Sequence, residues 1–106
     1  MKKDDDVFIG HILESIDSIE DFVKGITEKD LVSDRLRRSA IVREIEIIGE
    51  AAKNISNEFK TKQENIPWKE IIGARDKLIH HYFGVDLSIV WNIIKVFLPD
   101  LKKKLE

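Results

Sequence analysis

Apolar residues recur at steps of three and four positions along most of the chain, and this spacing constrains the fold more than any other feature. The first such stripe comprises Phe8, Ile9, Ile12, Ile16, Ile19, Phe22 and Val23. No segment alternates apolar and polar residues as a half-buried strand does. The sequence therefore predicts an all-α fold, namely an up-and-down bundle of four helices.

The boundaries of the first two long helices follow from capping residues. Acidic residues at positions 4–6 favour the start of the first helix, because carboxylates stabilise the positive end of a helix dipole. Gly25 is a suitable stop for this helix. Residues 27–31 predict a short connecting turn of helix, after which Ser33 or Asp34 caps the second long helix. The polar stretch 54–65 lacks periodicity and is predicted to fray into a loop.

Two further helices are predicted in the second half. Pro67 and Trp68 open the third helix, since proline is tolerated in a first helical turn, and Gly84 ends it. Asp86 is a good N-cap for the fourth helix. Pro99 lacks a backbone donor and is predicted to kink or end that helix.

Length and composition place the chain in a broad class. The 106 residues predict a single domain over positions 1–106, large enough to bury a core without disulfides. The absence of cysteine fits a reducing compartment, and no apolar run approaches the roughly 18 residues of a membrane span. We therefore expect a cytoplasmic protein. The net charge of −2 means that any phosphate binding must depend on a local patch.

Chemically versatile residues are concentrated in the stretch 75–82, which reads Arg-Asp-Lys-Leu-Ile-His-His-Tyr. Arginine holds phosphate, and histidine transfers protons near neutral pH. His80 can act as acid or base in the cleavage of a phosphate ester, and Arg75 can neutralise the charge that develops on the phosphoryl group. No cluster of Asp, Glu and His has a spacing typical of a metal site, so no cofactor is predicted. If the chemistry is RNA cleavage, the 2′-hydroxyl supplies the nucleophile and a metal is dispensable.

Helix geometry places these residues relative to one another. Asp76 lies four residues before His80, so its carboxylate can orient the imidazole. Arg75 and His80 are five residues apart, about 140° around an ideal helix, and do not converge naturally on one small group. Either the helix distorts near Gly84, or a second copy of the protein completes the site across a two-fold axis.

The Arg75-x4-His80-x-Tyr82 pattern resembles the signature of the HEPN superfamily, specifically its HepT-like toxins of the DUF86 group. The segments Ile47-Ile48-Gly49-Glu50-Ala51-Ala52-Lys53 and Ile66-Pro67-Trp68-Lys69-Glu70-Ile71-Ile72-Gly73 resemble motifs of that group as well, and so does the exit at residues 82–86. The resemblance covers essentially the whole chain.

This resemblance implies an all-α homodimer that acts as a metal-independent endoribonuclease. By analogy, Arg75 stabilises the transition state and His80 is the acid or base. Asp76 occupies a position that is often polar in the superfamily. The implied partner is an antitoxin of the minimal nucleotidyltransferase (MNT) group, which transfers AMP onto the motif tyrosine, here Tyr82. The added charge would repel RNA from the site.

Other polar residues have weaker functional readings. His81 is either a spacer or a second-rank contact. Glu50 is either a supporting carboxylate that faces the catalytic helix or, by default, an ordinary exposed glutamate. His11 is interpreted as incidental.

The second long helix carries four arginines, namely Arg35, Arg37, Arg38 and Arg43. They form either a basic surface for RNA or a solvated face paired with Glu44 and Glu46, and the second reading is favoured.

The sequence thus favours the toxin of a type II toxin–antitoxin module, with RNA as its substrate and a site built from Arg75 and His80 of both subunits. The rival hypothesis is a non-catalytic helical subunit of a nucleotidyltransferase, in which Arg75, His80 and Tyr82 form a docking surface. A third hypothesis is a bundle whose motif only packs the dimer.

Overall fold

The structure, a computed structural model, describes the backbone of residues 3–81 and 87–106 and the side chains of residues 4–74 and 87–106. All regular elements in these ranges are helical: α1 (Lys3–Phe22), α2 (Glu28–Ser33), α3 (Arg35–Asn54), α4 (Asn57–Lys62), α5 (Trp68–His81), α6 (Leu87–Asn92), a π-helical segment (Ile93–Phe97) and α7 (Leu98–Leu105). The predicted all-α class is confirmed.

Four long helical units form the bundle: α1, α3, α5, and the unit from α6 through the π segment to α7. Helix α1 packs against α3 and α7, and α3 also packs against α5. Apolar residues of α1 and α3 face the centre, where Ile12, Ile16 and Ile41 are fully buried, although Leu36 at the start of α3 is exposed. Burial of one such side chain stabilises the fold by roughly 1.5–3 kcal/mol, so the interlocking stripes set the arrangement of the helices.

Local capping fixes the connection between α1 and α3. Gly25 adopts a positive φ of 77°, a conformation that glycine reaches without a steric cost. Thr27 and Asp30 form a reciprocal capping box at the start of α2. Of the two predicted caps for the long helix, Asp34 is the one observed: its carboxylate accepts a 3.0 Å hydrogen bond from the Arg37 amide.

The predicted loop over 54–65 is wrong in part, because residues Asn57–Lys62 form α4. Ser56 caps this helix by accepting a hydrogen bond from the Phe59 amide at 3.2 Å. A helix of six residues is too short to show an apolar period, which explains why the pattern missed it. Phe59 still anchors the helix, since its ring meets Trp68 edge-on at 6.1 Å.

Pro99 does not end the last helical unit, in contrast to one of the two predicted outcomes. The π segment precedes it, and the Leu98 amide donates to the Ile93 carbonyl, five residues back. Pro99 then lies in the first turn of α7, where its missing donor costs little. The predicted roles of Gly84 and Asp86 lie outside the described residues.

Lys102 joins α7 to α1. Its ammonium group lies 2.9 Å from an Asp17 carboxylate oxygen and 3.4 Å from one of Glu20. The hydrogen bond to Asp17 is the main cause that raises the pKa of Lys102 above its usual value. Within the described ranges, no helix has the length and apolar character that a membrane span requires.

Candidate active site and a second pocket

Helix α5, which carries most of the predicted site, is anchored at its first turn. The indole nitrogen of Trp68 donates to the Gln63 carbonyl at 3.2 Å, and the Ile71 amide donates to the Pro67 carbonyl at 3.1 Å. Ile66 and Ile71 are buried in the core. These contacts fix where α5 begins and therefore the helical position of each residue that follows.

Helix α5 continues as an α-helix to His81 and carries four of the predicted site residues, namely Arg75, Asp76, His80 and His81. The helix is unbroken between Arg75 and His80, so five residues of regular helix separate them, or about 140° of rotation. The side chains of these four residues and all of Tyr82 lie outside the described part of the structure. Their predicted roles therefore remain predictions.

Glu50, the supporting carboxylate proposed on α3, is exposed and lines a pocket of about 350 Å³ between α1 and α3. The pocket lining consists of Phe8 and His11 on α1 and, on α3, Arg43, Glu46, Ile47, Glu50, Ala51 and Asn54. The α3 residues recur at steps of three and four and thus occupy one face of the helix.

Three contacts between pairs of lining residues hold the side chains of this pocket in place. The Phe8 and His11 rings are 6.1 Å apart and nearly perpendicular, with an angle of 82°. Arg43 lies 3.6 Å from a carboxylate oxygen of Glu46. The Asn54 side-chain amide donates to the backbone carbonyl of Glu50 at 2.9 Å, which leaves the Asn54 side-chain oxygen available as an acceptor.

Sequence reasoning missed the pocket because it treated His11 as incidental. His11 follows Phe8 by three residues, a spacing that places both rings on one face of α1. The sequence therefore contained the signal that Phe8 and His11 share a face of α1, and the opposing face of α3 could be recognised in the same way. The packing of α1 against α3, which brings the two faces together, could not be predicted from either helix alone.

The favoured reading of the α3 arginines, a solvated face paired with Glu44 and Glu46, is confirmed for one pair, Arg43 with Glu46. Arg37 pairs with Asp34 at 3.4 Å, and Arg43 pairs with Glu46. The Arg38 guanidinium donates to the carbonyls of Leu31 and Val32 at the end of α2. Three of the four arginines thus have contacts within the fold, which weakens the idea of a free basic surface.

The helical bundle and the location of the Arg-x4-His stretch on α5, which packs against α3, fit a HEPN-type domain. The family model described as "Ribonuclease HepT-like" matches residues 12–106. The chain belongs to this HepT-like ribonuclease family, as its resemblance to the DUF86 group predicted.

Curated relatives agree with this assignment. A protein of Thermococcus cleftensis named "Probable ribonuclease HepT" is 44% identical over 106 residues, which are 100% of this chain and 96% of the relative. A "Putative RNase" of Caldanaerobacter subterraneus is 46% identical over 93% of this chain and 88% of its own length. No solved structure matches the chain.

One relative is longer than the family domain. A Methanocaldococcus jannaschii protein named "Gamma-glutamylcyclotransferase and putative RNase" is 47% identical over 99% of this chain. The chain spans only 47% of that relative. The shared region therefore corresponds to one part of a protein that is named for two activities.

Proposed function

We propose that this protein is a metal-independent endoribonuclease and the toxin of a toxin–antitoxin module. One observation carries the proposal: the HepT-like ribonuclease match extends over residues 12–106 and includes the Arg75-x4-His80 pattern on the continuous helix α5. The names of the relatives, which refer to ribonuclease activity, support the same reaction class. We expect the protein to act in the cytoplasm, where RNA is accessible.

The proposed reaction is an intramolecular transesterification of RNA. A base removes the proton from the 2′-hydroxyl, whose oxygen attacks the adjacent phosphorus, and the bond to the 5′-oxygen breaks. An acid protonates the leaving oxygen, so the products end in a 2′,3′-cyclic phosphate and a 5′-hydroxyl. His80 supplies the acid or base, Arg75 stabilises the phosphoryl charge, and Asp76 orients His80. His81 supports the site, whereas Glu50 lies in the pocket between α1 and α3.

Two copies of the chain would share this site. Positions 75 and 80 are about 140° apart around the axis of α5, so we expect a single copy not to bring Arg75 and His80 together. A two-fold axis brings the arginine and histidine of both copies together, with one histidine as base and the other as acid.

Exposed apolar side chains offer a surface for such a homodimer, for example Val32 at 55%, Leu36 at 81% and Ile89 at 59% exposure. They lie on α2, α3 and α6, and α2 contacts both others.

The proposed antitoxin is a nucleotidyltransferase of the MNT group, and its target is the Tyr82 hydroxyl. Transfer of AMP from ATP forms a bond between the tyrosine oxygen and the α-phosphorus and releases pyrophosphate. The modified residue carries added bulk and negative charge two positions after His80. This charge would repel the RNA phosphate from the site.

Cleavage of RNA in EDTA tests the proposal. Purified protein without an adduct on Tyr82, checked by mass spectrometry, is incubated with total cellular RNA, and the product ends are mapped. We expect cleavage with cyclic phosphate ends and none in RNA that carries 2′-O-methyl groups. His80→Ala and Arg75→Ala are expected to lose at least 100-fold in rate, since acid–base catalysis typically contributes about 10²–10⁴-fold.

Lys69→Ala is the matched control, because Lys69 is exposed on the same helix and outside the Arg75-x4-His80-x-Tyr82 pattern. This variant should cleave at the wild-type rate. Equal rates for wild type and His80→Ala would reject the site. If the unmodified wild type leaves RNA intact both in EDTA and with added Mg²⁺, the non-catalytic subunit becomes the better interpretation.

A further inference from the structure

We propose that the pocket between α1 and α3 binds a single nucleobase of the RNA, with guanine preferred. This inference rests on the proposed ribonuclease function and adds a specificity site to it. The pocket volume of about 350 Å³ is at the small end of the usual range for ligand sites, roughly 300–1,000 Å³. It suits one nucleoside rather than a larger cofactor.

The walls of the pocket fit a flat, partly apolar ring. Ile47 and Ala51 supply an apolar surface on α3, and Phe8 and His11 supply two rings on α1. Because these rings are nearly perpendicular, a base that stacks on one of them meets the edge of the other. Unpaired RNA bases are commonly recognised by such stacking on aromatic side chains and histidine.

The charges of the pocket favour a base over a phosphate. Glu46 and Glu50 contribute two carboxylates to the pocket lining. Arg43 contributes one positive charge, and its guanidinium group already pairs with Glu46. Among the described residues, the Glu50 carboxylate has no ion-pair or hydrogen-bond partner. An anion would be repelled by this arrangement, while a neutral ring with donor groups would be attracted.

The polar groups then discriminate between bases. The Glu50 carboxylate has two acceptor oxygens, and guanine is the base that presents two adjacent donors, N1–H and the 2-amino group, to match them. Arg43 lies seven residues earlier on α3, about 10 Å along the helix axis, and can donate to the opposite O6/N7 edge. The Asn54 side-chain oxygen provides a further acceptor beside Glu50.

Helix α3 also connects the pocket to the proposed catalytic helix, since α3 packs against both α1 and α5. A base held on α3 would fix the register of the RNA strand relative to α5. Cleavage should therefore occur at a constant distance from a guanosine.

Two short RNAs with a single guanosine or a single inosine at the same position test this inference. Inosine lacks only the 2-amino donor. Binding is measured by fluorescence anisotropy on the His80→Ala background, so that cleavage does not consume the probe, and cleavage positions are mapped separately with the wild-type catalytic helix. We expect the guanosine RNA to bind about tenfold more tightly than the inosine RNA, the ratio that corresponds to 1.4 kcal/mol.

Two pocket variants and one matched control sharpen the measurement. Glu50→Gln replaces one acceptor with a donor and should abolish the preference for guanosine over inosine. Phe8→Leu should weaken the binding of both RNAs by roughly 5- to 150-fold, the range that one lost base stack gives. Glu44→Gln removes the same charge from α3 outside the pocket lining and should leave the preference intact.

The outcomes separate this inference from the proposed function. Cleavage in EDTA without any guanosine preference, or with a preference that Glu50→Gln retains, overturns the pocket assignment and leaves the ribonuclease in place. A preference that depends on Glu50 in a protein that does not cleave RNA supports the pocket and rejects the nuclease. Absence of both cleavage and preference rejects both.

Discussion

At the residue scale, Asp5 is the polar group most deeply embedded in the described structure. Its side chain is 2% exposed and accepts hydrogen bonds from the Ser56 amide at 2.8 Å and the Ser56 hydroxyl at 2.7 Å. That hydroxyl in turn accepts from the Phe59 amide. Asp5 therefore ties the start of α1 to the cap of α4. Burial lowers the pKa of Lys60, and the negative charge of Asp5 opposes that shift.

Asp5→Asn should lower the free energy of unfolding by about 1–3 kcal/mol, because the amide nitrogen that replaces one carboxylate oxygen cannot accept from Ser56, and a half-buried donor of Ser56 loses its partner. Asp6→Asn is the control, since it is exposed in the same first turn and alters the same helix dipole. Urea unfolding measures both variants. The pKa of Lys60, followed by NMR, should fall further in Asp5→Asn. Equal destabilisation by the two substitutions would contradict the role assigned to Asp5.

The helix on which a single residue lies can be predicted from the sequence, but its contact partners often cannot. The spacing of Arg75, Asp76 and His80 is a property of the chain, and helical periodicity is enough to assign all three to one helix. The role of Asp5 was misread as dipole compensation alone, because its partner Ser56 is 51 positions away. His11 was missed for the same reason: its significance depends on a neighbouring helix.

At the element scale, short helices depend on caps more than on their own propensity, because nucleation is costly and few hydrogen bonds form. Helix α2 illustrates this. Its start is held by the box of Thr27 and Asp30, and its end by the Arg38 guanidinium, which donates to the carbonyls of Leu31 and Val32. Leu31 is fully buried, so the caps hold an apolar anchor in place.

Arg38→Met should loosen α2 while the long helices remain intact. The variant keeps an apolar stem but loses the hydrogen bonds to the last carbonyls of α2, at an expected cost of about 1–3 kcal/mol. Hydrogen exchange should show faster exchange of the α2 amides and unchanged protection in α1. Arg35→Met is the control, because Arg35 is an exposed arginine on the same helix. Unchanged α2 protection in Arg38→Met would reject the capping role.

The elements that sequence patterns predicted are those with several turns. Helices α1, α3 and α5 each carry enough apolar positions to define a period, and Asp34 and Trp68 mark two of their starts. Helix α4 and the π segment were missed because six and five residues give no period. Pro99 was predicted to kink or end the last helix, whereas the helical unit continues through it as α7, directly after the π segment.

At the scale of the whole molecule, oligomeric state and activity should be linked. Positions 75 and 80 lie about 140° apart around the axis of α5, and we therefore expect the proposed site to combine residues from two copies. Two-fold symmetry would provide them in a closed dimer, in which the same surface of each copy meets its counterpart. The apolar side chains of Val32, Leu36 and Ile89 are candidates for that surface.

If the site is shared, the cleavage rate per protomer should fall on dilution, with the same midpoint as dimer dissociation measured by sedimentation. Leu36→Asp places a charge on the proposed interface and should move both midpoints together to higher concentration by tenfold or more, the effect of an interface change of about 1.4 kcal/mol. Val7→Asp introduces the same charge at an exposed valine of α1, 52% exposed, and should move neither. A rate per protomer that stays constant while the dimer dissociates would show that one chain carries a complete site. The arginine and histidine would then have to converge within a single copy, contrary to the regular helix that separates them.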